Sequence, residues 1–476
     1  MSSSFALLSL IVALPFLGML FVFTTKSQKE TQGHNAFHVC VFTIFANIVL
    51  IWRVFMLINE KSRDLQLQEK FNWLSTPDIN IVFAVDTFSL LLILSMHIAV
   101  LIGLIGVRSN IYKQKSLMVF TLLFLSMATG FFVAADIFSF YMFFEAMLIP
   151  LFMLIGMFGE VKKQDLIYRF FLYNFIGALL LFSATMLIYY YYGSITLQQV
   201  AKIHIKSGVG IYVWSAIFLA FISRIPIWPF HYWISSINSG IRNPLAFVIT
   251  SFMPISGIYG FIRFLPSNFS ADINNYIVWI NIIGAVTMVF IALIGLINRD
   301  AQYKIFSYVT IYNIMYLLGV LTNDNIIEHN IGYSLFCFVI IVASLSVINS
   351  YIYHKEQEND SDSRGFLCRA RRLSLVYSFM IIAAIGLPVS AIFINNFLIL
   401  SKLLGANLEI GGLLIFAILI VGVTLLQELI RLKTNDANCK LGKNDDISTW
   451  QFVFMLFVIF VLVMSFLNPL WFVINE

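Results

Sequence analysis

The sequence predicts an all-α membrane protein of roughly fourteen transmembrane helices, organised as two inverted five-helix repeats in which helices seven and twelve are broken. Three observations lead there. With 60% hydrophobic and 11% charged residues and a mean hydropathy of +0.90, the chain lies far outside the range of soluble domains, so its main solvent is lipid. Apolar runs of about 20 residues, long enough to cross a bilayer, recur from end to end. Two of those runs are interrupted by proline beside polar residues, five spans apart.

The runs fall near residues 5–24, 37–58, 82–107, 116–134, 136–158, 166–192, 210–235, 243–265, 274–298, 305–322, 330–353, 373–403, 409–430 and 451–473. The N-terminal run has no basic n-region and no small-residue cleavage site, so it reads as a first span rather than a signal peptide. Spans four and five are separated only by Ala134, Ala135 and Asp136. If loops alternate sides, one side collects 20 of the 29 Lys and Arg residues and the other collects seven, with Arg53 and Arg224 left inside spans. The positive-inside rule makes the richer side cytoplasmic and puts both termini outside.

Span seven breaks along RIPIWP, from Arg224 to Pro229, and span twelve breaks at Gly386-Leu387-Pro388, followed by Asn395 and Asn396. Equivalent elements an odd number of spans apart belong to units of opposite orientation, the arrangement in which transporters pair broken helices about the midplane. This gives N-terminal helices one to three in 1–115, a first five-helix repeat in 116–265, a second in 266–430, and a loop with helix fourteen in 431–476. Proline kinks made for packing alone are the competing reading.

A few residues could carry chemistry. Glu145 has no charged neighbour within eight residues on either side and sits deep in span five, where a carboxylate needs a partner or a proton. Arg224 is its candidate partner by depth; it can hold a carboxylate but keeps its own proton. The bland alternative is a static pair locking two helices. His231, two residues past Pro229, could relay a proton near neutral pH or simply cap a helix end. Arg53, Asp86, His97 and Asp136 read as snorkelling, capping and packing. Residues 354–372 read as a solvated cytoplasmic loop. The four cysteines, Cys40, Cys337, Cys368 and Cys439, lack ligand spacing and read as free thiols, with no metal site. No phosphate loop, nucleophile triad or nucleic-acid surface is visible, which argues against substrate chemistry in the usual enzymatic sense.

Several segments together carry a resemblance. They are AVDTFSL from Ala84 to Leu90, FFEAMLIP from Phe143 to Pro150 with Gly156 beyond, and YRFFLY from Tyr168 to Tyr173. They continue with RIPIWPFHYW from Arg224 to Trp233, YGFIRF from Tyr259 to Phe264, and GLP from Gly386 to Pro388 with FLIL from Phe397 to Leu400. The chain thereby resembles the antiporter-like membrane subunits of respiratory complex I, in particular subunit M of bacterial NADH:quinone oxidoreductase and its mitochondrial subunit 4 counterparts. The resemblance implies fourteen helices, two inverted repeats with a hydrated half-channel in each, and proton translocation coupled to electron transport. It also implies neighbouring antiporter-like subunits as partners in an energy-conserving membrane, most simply the bacterial inner membrane, and no cofactor or redox centre in this chain.

The residues the family uses are only partly present. Its span-five Glu falls on Glu145 and its span-seven Lys on Arg224. Its span-eight Lys falls on Ile255, its span-twelve Glu on Asn396, and the His of its span-ten motif on Asn313, following Lys304 and Tyr308. The polar positions after span seven read Ser236, Asn238 and Gly240. Neither Ile255 nor Asn396 can titrate, so the resemblance implies a degraded proton path. Two alternatives stand beside this reading: a subunit of a multi-subunit monovalent cation/proton antiporter, and a non-conducting structural subunit.

Overall fold

The computed structural model describes residues 6–25, 32–59, 64–74, 79–106, 114–158, 164–193, 196–200, 207–231, 241–264, 271–322, 324–359, 365–434 and 446–475. Among them, twelve helices are long and apolar enough to cross a membrane. The two expected spans with no counterpart among these twelve are the interrupted ones, seven and twelve. There the chain forms shorter apolar helices, because proline cannot donate the hydrogen bond that would continue the helix.

In chain order the first elements are α1 (Leu7–Thr24), α2 (Gln32–Phe55), β1 (Gln66–Leu74), β2 (Ile79–Val85), α3 (Thr87–Gly106) and α4 (Gln114–Val133). The strands form an antiparallel hairpin that the sequence reading placed partly inside span three. Apart from Asn80, INIVFAV is apolar and so runs on into the following helix by hydropathy alone. The helix begins at Thr87, where Asp86 accepts the Ser89 amide at 2.9 Å. The hairpin is tied back to the first helix: the Glu69 carboxylate accepts the Leu8 and Ser9 amides at 2.8 and 3.0 Å and the Ser9 hydroxyl at 2.5 Å. Those amides belong to the turn whose N–H groups have no intrahelical partner.

Next come α5 (Ile137–Ala146), α6 (Leu148–Phe158), α7 (Gln164–Tyr192), α8 (Leu197–Val200), α9 (Ser207–Ile222) and α10 (Pro244–Phe264). Asp136 separates α4 from α5 by capping: its carboxylate accepts the Phe138 and Ser139 amides at 3.0 and 2.8 Å, and the Val82 amide at 2.7 Å. The remaining helices are α11 (Ala271–Ile297), α12 (Ala301–Leu321), α13 (Asn325–Asn359), α14 (Phe366–Arg369), α15 (Arg371–Ile385), α16 (Ala391–Ala406), α17 (Leu408–Lys433) and α18 (Thr449–Asn475). Residues 354–359, expected in a loop, extend α13, because Lys, Glu and Gln sustain a helix beyond the apolar run. Between α12 and α13, Lys402 donates to the Asp324 carboxylate at 2.9 Å, which holds that carboxyl below its usual range.

Two compact units divide the chain. The first comprises Met1–Leu101, Arg108–Pro226 and Phe252–Asn274; the second comprises Ile102–Val107, Ile227–Ser251 and Asn275–Glu476. An aromatic core fills the first: Phe131, Phe132, Phe140, Phe144, Phe221 and Tyr259 are all buried, with ring centroids as close as 4.5 Å for Phe131 and Phe140. In the second, α12 and α13 are enclosed along their whole apolar length, whereas α18 turns most of its surface outward. That difference explains their compositions. The enclosed helices carry many polar side chains, whereas outer helices present Phe, Leu and Trp to lipid and turn polar groups such as Asn47 and Glu428 inward.

One thiol differs from expectation. Cys40 and Cys337 are buried and free, but Cys368 is disulfide-bonded. Ligand-like spacing in sequence is no guide here, since a disulfide needs only two Cβ atoms brought together by the fold. Cys439 lies outside the described residues.

Candidate functional site

Arg224 is fully buried. It stands where α9 ends: the Arg224 and Ile225 amides donate to the Phe221 and Ile222 carbonyls at 3.1 and 3.0 Å, so the helix tightens to an i to i−3 pattern before Pro226 stops it. Gly257 of α10 lets a second backbone lie against this break. A Cβ added at 257 would come within 2.8 Å of the Phe221 carbonyl oxygen and 2.9 Å of the Ile225 side chain. We expect Gly257→Ala to destabilise the purified protein by about 1–3 kcal/mol, because the obstacle is backbone that cannot rotate away. Thermal unfolding in detergent checks it, and unchanged stability would show that the break can give way.

From this position the guanidinium reaches two other spans. Nη2 donates to the Phe144 carbonyl, and Nη1 donates to the Ser256 hydroxyl at 2.9 Å. The guanidinium carbon also lies 3.3 Å from the centre of the Phe144 ring. Phe144 contributes one of the last four carbonyls of α5, which have no acceptor role within their own helix, and a cation at that end also opposes the helix dipole. Arg224 therefore works as a C-cap for α5.

Glu145, next along, is half-buried, and its Oε2 accepts the Tyr141 hydroxyl one turn earlier on the same face. Among the described residues Glu145 and Arg224 form no direct ion pair; the carboxylate acts on the guanidinium through space. Tyr141 and Ser256 are partners the sequence reading did not single out. Tyr141 precedes Glu145 by four, a helical spacing that could have revealed it. The hydroxyl that receives Arg224 is that of Ser256, beside Ile255.

Other charges have structural partners. Asp86 meets Arg263 at 2.6 Å, and the Arg263 guanidinium lies 4.8 Å from the Tyr259 ring centre. His97 is fully buried: Nδ1 bonds the Ile93 carbonyl at 2.8 Å and Nε2 bonds the Asn47 amide at 2.9 Å. Since the amide nitrogen of Asn47 also donates to the Ile11 carbonyl at 3.1 Å, the ring is held neutral with its proton on Nδ1. Arg53 is exposed in the last turn of α2.

In the second unit, His231 packs edge-on against Phe290, 5.9 Å between ring centres, and lines an apolar cavity of about 390 Å³ with Trp228, Ile283, Val286 and Thr287. Its Nδ1 is buried without a hydrogen-bond partner. Ser236, Asn238 and Gly240 lie outside the described residues. The second break is capped through backbone: Gly386, at φ +83°, donates to the Ala383 carbonyl at 3.2 Å and Leu387 donates to Ile382 at 3.4 Å, the paired bonds of a Schellman turn. Asn396 and Asn313 are buried, each with its side-chain oxygen unpartnered. Among the described residues no three His, Cys, Asp or Glu side chains converge as metal ligands would.

The family described as NADH:quinone oxidoreductase/Mrp antiporter, transmembrane, matches residues 134–424, which spans both breaks together with Glu145 and Arg224. The chain is a member of that family. Within the NADH:quinone oxidoreductase/Mrp antiporter family it is similar to NADH-quinone oxidoreductase subunit M of Rickettsia prowazekii, 23% identical over 88% of this chain and 87% of the relative. It is also similar to NADH-ubiquinone oxidoreductase chain 4 of Arabidopsis thaliana, 26% identical over 83% and 79%. Among solved structures, a chain of respiratory complex I from Thermus thermophilus with bound NADH superimposes with a TM-score of 0.84 at 18% identity, covering 97% of this chain and 96% of that one. Family and fold thus agree, and the fold is one of a multi-pass antiporter-like membrane subunit.

Proposed function

We propose that the chain is the antiporter-like M-type membrane subunit of a proton-translocating NADH:quinone oxidoreductase, carrying no redox centre of its own. The observation that carries this reading is the buried Arg224 joined to spans five and eight beside the half-buried Glu145, in the part of the chain that matches the family. A cation and a carboxylate at this depth are costly in lipid and mark ion paths in membrane proteins. Glu145 can exchange a proton, Tyr141 can pass one to it, and Arg224 fixes the local field without titrating. In this reading the partners are neighbouring antiporter-like subunits and the bilayer of an energy-conserving membrane, with both termini on the non-cytoplasmic side as the charge distribution requires. The two broken helices mark two inverted repeats.

Purification is the first test. Tagged chain that brings down flavin and iron–sulfur subunits supports the assignment, while recovery in a complex free of redox subunits rejects it in favour of a cation/proton antiporter. Activity is the second. Glu145→Gln keeps the size of the side chain and an oxygen for Tyr141, so we expect assembly to persist and proton translocation to fall by about a hundredfold through this path. An unchanged proton-to-electron ratio in vesicles would leave the third reading, a structural subunit, which Ile255 and Asn396 favour because neither can titrate.

A further inference from the structure

A second buried charge site lies in the second unit, at the Lys304 that precedes Asn313 in span ten. Lys304, in the first turn of α12, meets Glu428, near the end of α17, at 2.7 Å, with the two side chains only 7% and 3% exposed. Arg431 approaches the same carboxylate from one turn further along α17, at 3.8 Å, and its Nη1 also donates to the Arg299 carbonyl at 2.8 Å. Two cations thus face one anion. A buried ion pair alone is weak grounds for function, since it can simply tie two helices together.

What surrounds Lys304 argues for more than a tie. Tyr308, Tyr312 and Tyr316 follow it at four-residue intervals, one above another on α12, and all three are buried. The Tyr316 hydroxyl bonds Ser334 at 2.8 Å, and the Tyr312 hydroxyl accepts the Asn396 amide at 3.4 Å. Gly386 abuts those same two groups, so the column ends at the break between α15 and α16. Along it the Tyr308 hydroxyl, the Ser390 hydroxyl, both polar atoms of Asn395 and the Asn396 oxygen have no protein partner. Buried polar groups are nearly always bonded, and where protein supplies no partner, ordered water does. Water bonded to these atoms would run as a column from the break toward Lys304.

We infer that Lys304 is a proton-holding site at the foot of this column, exchanging its proton with the water beside Tyr308. Only an N–H bond breaks and an O–H bond forms; the proton passes to water, and the lysine is left neutral. Glu428 then keeps a counter-charge, because Arg431 retains its proton under all accessible conditions. This is the role of the third charge: it lets Lys304 cycle without stranding a buried carboxylate. The other titratable groups facing the cluster are Tyr377 of α15, which interacts with Glu428 and Arg431, and Cys337 of α13, which faces Tyr308 and Tyr316. The second unit would then carry a proton without the glutamate missing at Asn396.

The inference rests on the proposed function, and its test keeps the two apart. Protons moved per electron are measured in vesicles containing the assembled complex with wild-type chain, Lys304→Arg, or Tyr308→Phe. Lys304→Arg keeps the charge opposite Glu428 but cannot release a proton; Tyr308→Phe leaves the ion pair untouched and removes the buried, unpartnered hydroxyl one turn along α12. A lowered ratio or lowered coupled turnover in Tyr308→Phe, matched by Lys304→Arg where that variant assembles, supports the site. Wild-type values in Tyr308→Phe, or in an assembled Lys304→Arg, overturn it, because a mere tie between helices needs only the charge. If the wild-type chain itself lacks redox subunits, the proposed function fails instead.

Discussion

Asp86→Ala is expected to destabilise the first unit by about 3–5 kcal/mol, more than any other single truncation considered, because it strands a buried cation. The Arg263 guanidinium is only 12% exposed, its Nη2 lies 2.6 Å from the Asp86 carboxylate, and its Nε has no hydrogen-bond partner. The ring of Tyr259 beneath it offers a weaker, nondirectional attraction. Asp86 also caps α3 through the Ser89 amide, so its loss unpairs a helix terminus as well. The measurement is thermal or denaturant unfolding in detergent. The diagnostic comparison is a double replacement, Asp86→Leu with Arg263→Met, which removes both charges and should recover most of the loss. If the double variant is no better than Asp86→Ala, the pair matters through its capping bond rather than through charge.

Arg224→Met is expected to lower stability by about 2–4 kcal/mol, combining an unpaired buried carbonyl at Phe144 with the lost ring contact. Methionine fills the space but donates nothing. The cost of burying a guanidinium works in the opposite direction, so a variant as stable as wild type would mean that desolvation cancels the cap. Arg224→Lys separates charge from geometry. An ammonium can satisfy the Phe144 carbonyl but cannot reach Ser256 with the same planar fork, so we expect an intermediate loss of stability. The same substitution also places an exchangeable proton at position 224. An increase in protons moved per electron in that variant would show that Arg224 restrains the first unit's path.

The breaks were legible in the sequence because proline and buried charge act locally: Arg224, Pro226 and Pro229 need no tertiary information to interrupt a span. Asp136 was legible as punctuation for the same reason, since an N-cap is set within three residues. The β-hairpin was hidden because Ile81 to Val85 is apolar on both faces and merges with the helix that follows. The pairing of Lys304 with Glu428 was not legible because each lies near the edge of its apolar run, where a charge reads as solvated, and the two are 124 residues apart. Glu428 nevertheless fell two residues inside the predicted end of its span, a signal that could have been followed. The partner of Arg224 was expected to be the Glu145 carboxylate, but the guanidinium engages the carbonyl of the preceding residue. Depth in a span locates a charge along the membrane normal and says nothing about which atom it meets.

The carboxylate of Glu69 that closes the start of α1 is supplied 60 residues downstream of the Ser9 amide it accepts. Two further contacts bracket it in time: Asn47, which donates to the Ile11 carbonyl, emerges before the hairpin, and Ser126, which donates to the Val12 carbonyl at 2.8 Å, emerges after it. As the chain leaves the ribosome, α1 therefore enters the bilayer with its amide end open, gains the Glu69 clamp only when the hairpin has emerged, and meets α4 last. The amide end of α1 is thus closed from outside its own helix and only after α2 has been made, so the fixing of this helix is sensitive to events that follow insertion of the second span.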